Sequence, residues 1–470
     1  MEARKLRLFI AAITFGGGSA IAQGLPGEIN ARQAADAALQ GNINAEAVAR
    51  SAADTRLQNS INDETAIRAA TDAQLQNQIN QLRGGGGGGT VTVDCAALQT
   101  ISEGLASGAD RIVVRGTCTE SLSVSRDNVT LVADPAGGGI HGPDVDVNTV
   151  NVTGNRVTID GLTVSGGRNG ITGVGAANLT VRNCVVQSTG RTGISYANGS
   201  SGTVDGCTVQ SNTRDGIAVD GAQATIVNST ITNNRNGVLV VNGGTSRIGI
   251  TDRLAAAGNT ISQNAGNGVT ISQGGSAIVA MNTITENGTN PASSGRSGVS
   301  ALMSATVSIA GGNTISRNPG PGIAVSVGST AVIGDPAAGL TTVNTISRNG
   351  SAASPGGISA FLGSSIVVRD AVIEENNGLG VILTMRAQLQ LLGSTIRDNV
   401  AAGNNAGDGI RLGLGSALLA NFPPSTISGN AGVGLQCTDG ESSTISPGAN
   451  PLLSISGNFL GQVSAGCTGF

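Results

Sequence analysis

Three features of this 470-residue chain predict an all-β solenoid, a right-handed parallel β-helix of about a dozen coils with about 22–31 residues each. Short β-branched runs return every 21 to 23 residues, turns of Gly, Asn and Asp separate them, and one asparagine position recurs beside an Ile or Val. With 73 glycines, one tyrosine and no tryptophan, the composition suits many tight turns rather than an aromatic-rich globular core. A solenoid grows along one axis, so the length does not call for three separate domains.

The N-terminus predicts export. Arg4, Lys5 and Arg7 precede the apolar run Leu8–Phe15, and small residues lead to Ala20-Ile21-Ala22. This pattern reads as a signal peptide over residues 1–22 with cleavage before Gln23. The apolar run is too short to span a bilayer and no later segment is long enough. The expected product is therefore soluble and secreted, periplasmic or at the cell surface. The first 22 residues carry net +2, so the formal charge of −4 becomes about −6 after their removal. No overall basic surface invites nucleic acid.

Residues 23–83 are predicted to form a helical stalk. Ala34-Ala35-Asp36-Ala37-Ala38-Leu39-Gln40-Gly41-Asn42-Ile43-Asn44 recurs at 52–62 and 70–80, a period of 18 residues or five α-helical turns. Leu39, Leu57 and Leu75 fall on one face, with Ile43, Ile61 and Ile79 a turn further on. One chain cannot bury so narrow a stripe, which implies a coiled coil with copies of itself or docking on a partner. The segment looks like the helical stalks of phage fibres and bacterial surface proteins, a resemblance that implies a trimer. Gly84–Gly89, six consecutive glycines, then marks a flexible boundary.

In the remainder, residues 90–150 are expected to hold an N-terminal cap and the first coils, and 437–470 a C-terminal cap. Cys95–Leu105 reads as a short amphipathic helix covering the open end of the first coil. The six cysteines fall in sequential pairs, Cys95/Cys118, Cys184/Cys207 and Cys437/Cys467, all disulfide candidates in an oxidising compartment. For Cys184 and Cys207, one coil apart and inward, buried free thiols are the equal alternative.

The repeat is plainest from residue 150. Val157…Val164 is followed by Arg168-Asn169-Gly170-Ile171, and later coils carry Arg191-Thr192-Gly193-Ile194, Arg214-Asp215-Gly216-Ile217 and Arg235-Asn236-Gly237-Val238. An Ile or Val is followed three residues later by Asn at positions 212, 234, 264, 287, 318, 349, 376, 399, 430 and 458. Stacked coils put these asparagines in a ladder, with the preceding aliphatic pointing inward. Ile112-Val113-Val114-Arg115-Gly116-Thr117-Cys118-Thr119-Glu120-Ser121 looks like an opening coil of pectate-lyase-like proteins. Residues 90–470 as a whole resemble right-handed parallel β-helix repeat proteins of that class, which implies the fold and permits polysaccharide chemistry.

Candidate binding residues are Arg168, Arg191, Arg214 and Arg235, one per coil at one corner. Guanidinium groups stacked about 5 Å apart repel unless paired or screened. An anionic polysaccharide lying along them would relieve the repulsion, whereas the bland alternative splays them into water. Asp160, Arg182 and Asp205 align at another corner as a stacked ion-pair set. Glu374, Glu375 and Asp398 form an acidic cluster beside Arg348 and Arg397, which favours ion pairing over calcium. Insertions at 288–296, 350–356 and 400–407 follow the asparagine corner and should stack as one wall of loops.

The absences weigh more. His141 is the sole histidine and Lys5 the sole lysine, so no Ser-His-Asp triad, histidine metal site or lysine base is expected. No catalytic set, metal or cofactor is predicted. The expected function is a non-enzymatic exported protein, structural or glycan-binding. The alternative is a polysaccharide lyase, glycoside hydrolase or epimerase, since an arginine could still serve a lyase as base.

Overall fold

The computed structural model describes residues 25–83, 88–293, 295–335, 342–438, 444–446 and 450–467. The signal segment lies outside the described residues. The chain divides into two compact units, Met1–Gly86 and Gly87–Phe470.

In the first unit, Leu25–Arg83 is one continuous α-helix of 59 residues, about 90 Å long at 1.5 Å per residue. Its Ala, Gln, Leu and Arg content favours helix, and Pro26 sits in the first turn, where its missing N–H costs nothing. Bonds between residues four apart recur with the sequence repeat. Arg50 pairs with Glu46 and Arg68 with Glu64. Gln40 donates to Asn44 at 3.0 Å and Gln58 to Asn62 at 3.1 Å. Leu39, Ile43, Leu57 and Ile61 are all exposed.

The second unit is the β-helix. Each coil contributes three short strands, and every strand pairing along the stack is parallel. The third face is a sheet of 14 strands, from Leu122–Val124 to Gly461–Val463. The first and second faces count as one sheet of 27 strands, because Arg111–Thr119 and Thr130–Gly142 bend across both. Inward positions repeat one residue type down the stack. Ile159, Val181, Val204, Ile226, Ile248 and Val279 follow one another in register on the first face, all fully buried. The interior is too narrow for rings. Tyr196 is the exception: glycines stand at 173 and 202, and its hydroxyl donates to the Leu179 and Thr203 carbonyls at 3.0 and 3.1 Å.

The asparagine ladder stands as one file. Each side-chain amide N–H donates to the carbonyl oxygen of the next asparagine, at 2.9 Å for Asn212 to Asn234 and 2.8 Å for Asn430 to Asn458. The same oxygen also accepts the backbone N–H of the residue below, 3.0 Å from Asn212. A second file, absent from the sequence reading, runs Asn259, Asn282, Asn313, Asn344 at the corner between first and second faces.

The N-terminal cap differs in detail from expectation. A single helix over Cys95–Leu105 is interrupted, because Leu98 takes a left-handed conformation (φ 62°) and splits it into Cys95–Ala97 and Ile101–Ala106. Thr100 and Glu103 form a capping box, and Glu120 accepts the Ile101 and Ser102 N–H groups at 2.7 and 3.2 Å. Cys95–Cys118 and Cys437–Cys467 are disulfides, with Cα–Cα distances of 4.9 and 5.1 Å.

Candidate functional site

The arginine column is built by the corner that enters the third face. Arg214 donates its backbone N–H to the Arg191 carbonyl at 2.9 Å, and Arg235 to the Arg214 carbonyl at 2.6 Å. The glycine two residues after each arginine is demanded by the ladder. A Cβ at Gly193 would lie 2.7 Å from the Asn212 amide nitrogen, and one at Gly216 would lie 2.8 Å from that of Asn234. Beneath the arginines runs a row of polar side chains. Asn169 donates to Asn148 at 3.1 Å, and Asn236 to Asp215 at 2.8 Å. Arg168, Arg191, Arg214 and Arg235 are all exposed, and none of the four makes an ion pair among the described residues. Asp215 is buried against Asn236, and Asp220 accepts from Asn242 at 2.7 Å, so neither neutralises the column by contact. Arg296, which the sequence reading missed, continues the column beyond Gly266: Gly266 donates to the Arg235 carbonyl and Gly320 to that of Arg296. Its signal was the same Arg-x-Gly triplet, at Arg296-Ser297-Gly298.

The remaining predicted clusters are structural. Arg182 binds Asp160 at 2.8 Å, while Asp205 accepts from Asn228 at 2.8 Å. Arg348 pairs with Glu375 at 2.7 Å and Arg397 with Glu374 at 2.6 Å. No metal-binding group of three acidic, cysteine or histidine residues occurs among the described residues. Cys184 and Cys207, candidates for a third disulfide, are free buried thiols. Their sulfurs donate to the strand carbonyls of Ile159 and Val181, each at 3.4 Å. The hydrogen bond with Cys207 and burial push the Cys184 thiol well up. Of the predicted insertions, 350–356 and 400–407 do touch: a Cβ at Gly403 would meet the Ala352 carbonyl.

A concave surface opens elsewhere, on the first face. Thr180, Thr203, Thr225, Arg247 and Ile278 stand in register on its outward side and floor a cleft of about 540 Å³. Asn178, Ser201, Gln223, Thr245 and Ser276 line one edge. Asp252, on the excursion between Gly249 and Gly258, reaches back over the cleft. Its carboxylate accepts from the Thr225 hydroxyl at 2.8 Å and pairs with Arg247 at 3.3 Å. Two features hold this excursion. Ala257 donates to the Gly249 carbonyl at 2.9 Å, and Ile250 is buried with Ala280 and Ala310 in a small apolar cluster of its own.

Hydroxyls, amides and one Arg–Asp pair can hydrogen-bond a polyhydroxylated chain from several sides. Glycoside hydrolysis by the common route needs two carboxylates, and Asp252 is the one carboxylate among the lining residues. Sequence reasoning missed this cleft, although the interval from Asn234 to Asn264 is 30 residues where its neighbours are near 22. The spacing shows that a coil is long but not which corner carries the excess.

Comparison with known proteins agrees with the architecture. The catalytic unit of the GH87 α-1,3-glucanase from Streptomyces thermodiastaticus strain HF3-3 is 16% identical, over 75% of this chain and 68% of that one, with a TM-score of 0.50. The A-module of the Azotobacter vinelandii mannuronan C-5 epimerase AlgE4 is 16% identical over 82% and 97%, at a TM-score of 0.39. The Streptococcus pneumoniae surface protein and adhesin PfbA is 11% identical over 81% and 98%, at 0.40. At such identities the likeness is one of fold. No curated protein matches the chain. The family described as "Right handed beta helix region" matches residues 140–251 and 293–448, more than half of the sequence. With parallel three-strand coils throughout and a family match of that extent, this chain belongs to the right-handed β-helix family.

Proposed function

We propose that this is an exported polysaccharide-engaging protein whose glycan lies in the cleft on the first face. The observation that carries the reading is the cleft itself: a rigid polar floor, a hydroxyl- and amide-lined edge, and Arg247 held over it by Asp252. Rigid, convergent polar groups suit a ligand that offers many hydroxyls and little apolar surface. Export is supported by the basic, apolar and Ala-Ile-Ala pattern of residues 1–22 and by two disulfides. The unpaired arginine column is a second contact surface, suited to carboxylate or sulfate groups of an anionic glycan. Self-association through the long helix belongs to the same reading and would present several β-helices to one polymer.

Turnover is the second reading. It is favoured by the fold likeness to an α-1,3-glucanase catalytic unit, whereas the single lining carboxylate favours retention without cleavage. Incubation of the full chain with α-1,3-glucan and with polyuronates separates the two. New reducing ends or unsaturated ends establish an enzyme, and retention without product establishes a binding protein. Arg247→Ala should weaken whichever activity the cleft carries. Arg191→Ala with Arg214→Ala should weaken retention on polyuronates alone. Absence of both retention and product on all of these polymers would overturn the reading.

A further inference from the structure

Along the long helix, the apolar stripe is not continuous. Leu39 and Ile43 are followed on the same face by Glu46 and Arg50, then by Leu57 and Ile61, then by Glu64 and Arg68. At 3.6 residues per turn these eight residues lie within about 60° of one another around the helix axis. The face therefore alternates an apolar layer with a layer holding one acid and one base. All eight are exposed, and each Glu–Arg pair is closed only within its own helix. With Ala53 included, the seam positions 39, 43, 46, 50, 53 and 57 complete 18 residues in five steps, a mean of about 3.6. Heptad seams force a left-handed supercoil and eleven-residue seams a right-handed one. A repeat that joins one of each keeps the stripe on one side of a straight helix.

We infer that the long helix packs against other copies of this chain through this face, with straight helices whose apolar layers meet apolar layers and whose Glu46/Arg50 and Glu64/Arg68 layers exchange ion pairs between chains. The inference rests on the proposed self-association and adds its seam. A second copy is the occupant because the face is complementary to itself: every charged layer offers equal numbers of each sign, at the same 18-residue interval as the apolar layers. A shift by half a repeat would set Leu57 and Ile61 against Glu46 and Arg50, burying charge against aliphatic carbon. Register is thereby restricted to whole repeats, the role buried polar positions play in helical assemblies.

The test uses the full chain in sedimentation-velocity experiments. The wild type is expected as an oligomer, and Leu57→Ser with Ile61→Ser as a monomer with the β-helix circular dichroism unchanged. Glu46→Arg with Glu64→Arg, and separately Arg50→Glu with Arg68→Glu, should each associate at least tenfold more weakly. An equimolar mixture of these two variants should recover the oligomer, a rescue that loss of bonds within one helix does not produce. A monomeric wild type overturns self-association and the seam together. An oligomeric wild type that is indifferent to the serine variant overturns the seam alone. Charge variants that show no rescue on mixing overturn the inter-chain ion pairs. None of these outcomes bears on glycan retention by the cleft.

Discussion

Replacement of Asn318 by alanine tests how much the asparagine file contributes to stability. Asn318 is fully buried. Its amide donates to the Ile284 carbonyl at 3.2 Å and to Asn349 at 2.8 Å. Its side-chain oxygen accepts the Asn287 backbone N–H at 2.9 Å and the Asn287 amide at 3.1 Å. In Asn318→Ala the Asn287 amide keeps the Ile261 and Thr285 carbonyls, and Asn349 keeps the residue-318 backbone N–H. The Asn287 backbone N–H keeps no acceptor from the file. One buried unsatisfied group costs about 1–3 kcal/mol and each lost hydrogen bond about 1 kcal/mol net, so the expected loss is about 2–4 kcal/mol. Thr283→Ala, on the exposed outward side of the same coil, should cost under about 1 kcal/mol. Urea titration followed by far-ultraviolet circular dichroism compares the two, and because solenoid stability is close to a sum over neighbours, the difference is read on a common transition. Asn318→Asp should be worse at neutral pH, since its carboxylate would face the Ile284 carbonyl and the Asn349 oxygen. Burial would raise that carboxyl above its unfolded value, so the variant should lose stability as pH rises and recover it in acid. Equal urea midpoints for Asn318→Ala and Thr283→Ala would refute the reasoning.

Three further outcomes are expected. Gly202→Ala should cost at least about 3 kcal/mol, because its Cβ would lie 1.9 Å from the Leu179 carbonyl oxygen and 2.8 Å from the Tyr196 ring; the near-ultraviolet signal of Tyr196, the chain's one tyrosine, reports it. A thiol reagent should find no reactive thiol in the native protein and two after unfolding without reductant, from Cys184 and Cys207; rapid native labelling would contradict their burial. Asp127 accepts the Asn155 backbone N–H at 2.7 Å, which with its other bonds to Asn155 holds its carboxyl below the usual range. A depressed folded value means stability present above the unfolded value and lost as pH falls through the folded one. Asp127→Asn should therefore shrink the loss of stability below about pH 4, read from urea midpoints across that range.

The scaffold was legible in the sequence because each of its determinants is local and repeated. The Ile-x-x-Asn position, the Arg-x-Gly corner and the β-branched triplets each specify one turn or strand, and copying them a dozen times makes the signal unmistakable. The sequential pairing of Cys95 with Cys118 and Cys437 with Cys467 follows from the same stacking. Cys184 and Cys207 show the limit of that argument: adjacent inward positions bring two sulfurs near each other, but whether they bond depends on where the strand carbonyls of Ile159 and Val181 stand. The second asparagine file was overlooked because only four coils carry it, too few to rise above a composition already rich in asparagine.

The cleft belongs to the other category. Thr180, Thr203, Thr225 and Arg247 are ordinary outward residues of four strands, about 22 residues apart, and nothing adjacent in sequence marks them as neighbours. Sequence by itself determined the coil, its inward aliphatics and its corner asparagines, since a repeating local pattern has only one way to stack. Only tertiary structure decided which coil bulges, that the bulge folds back over the first face, and that Asp252 thereby meets Arg247 and Thr225. A side chain's partner in the next coil is fixed by register and loop path, and both depend on free-energy differences summed over many contacts rather than on any short stretch of residues.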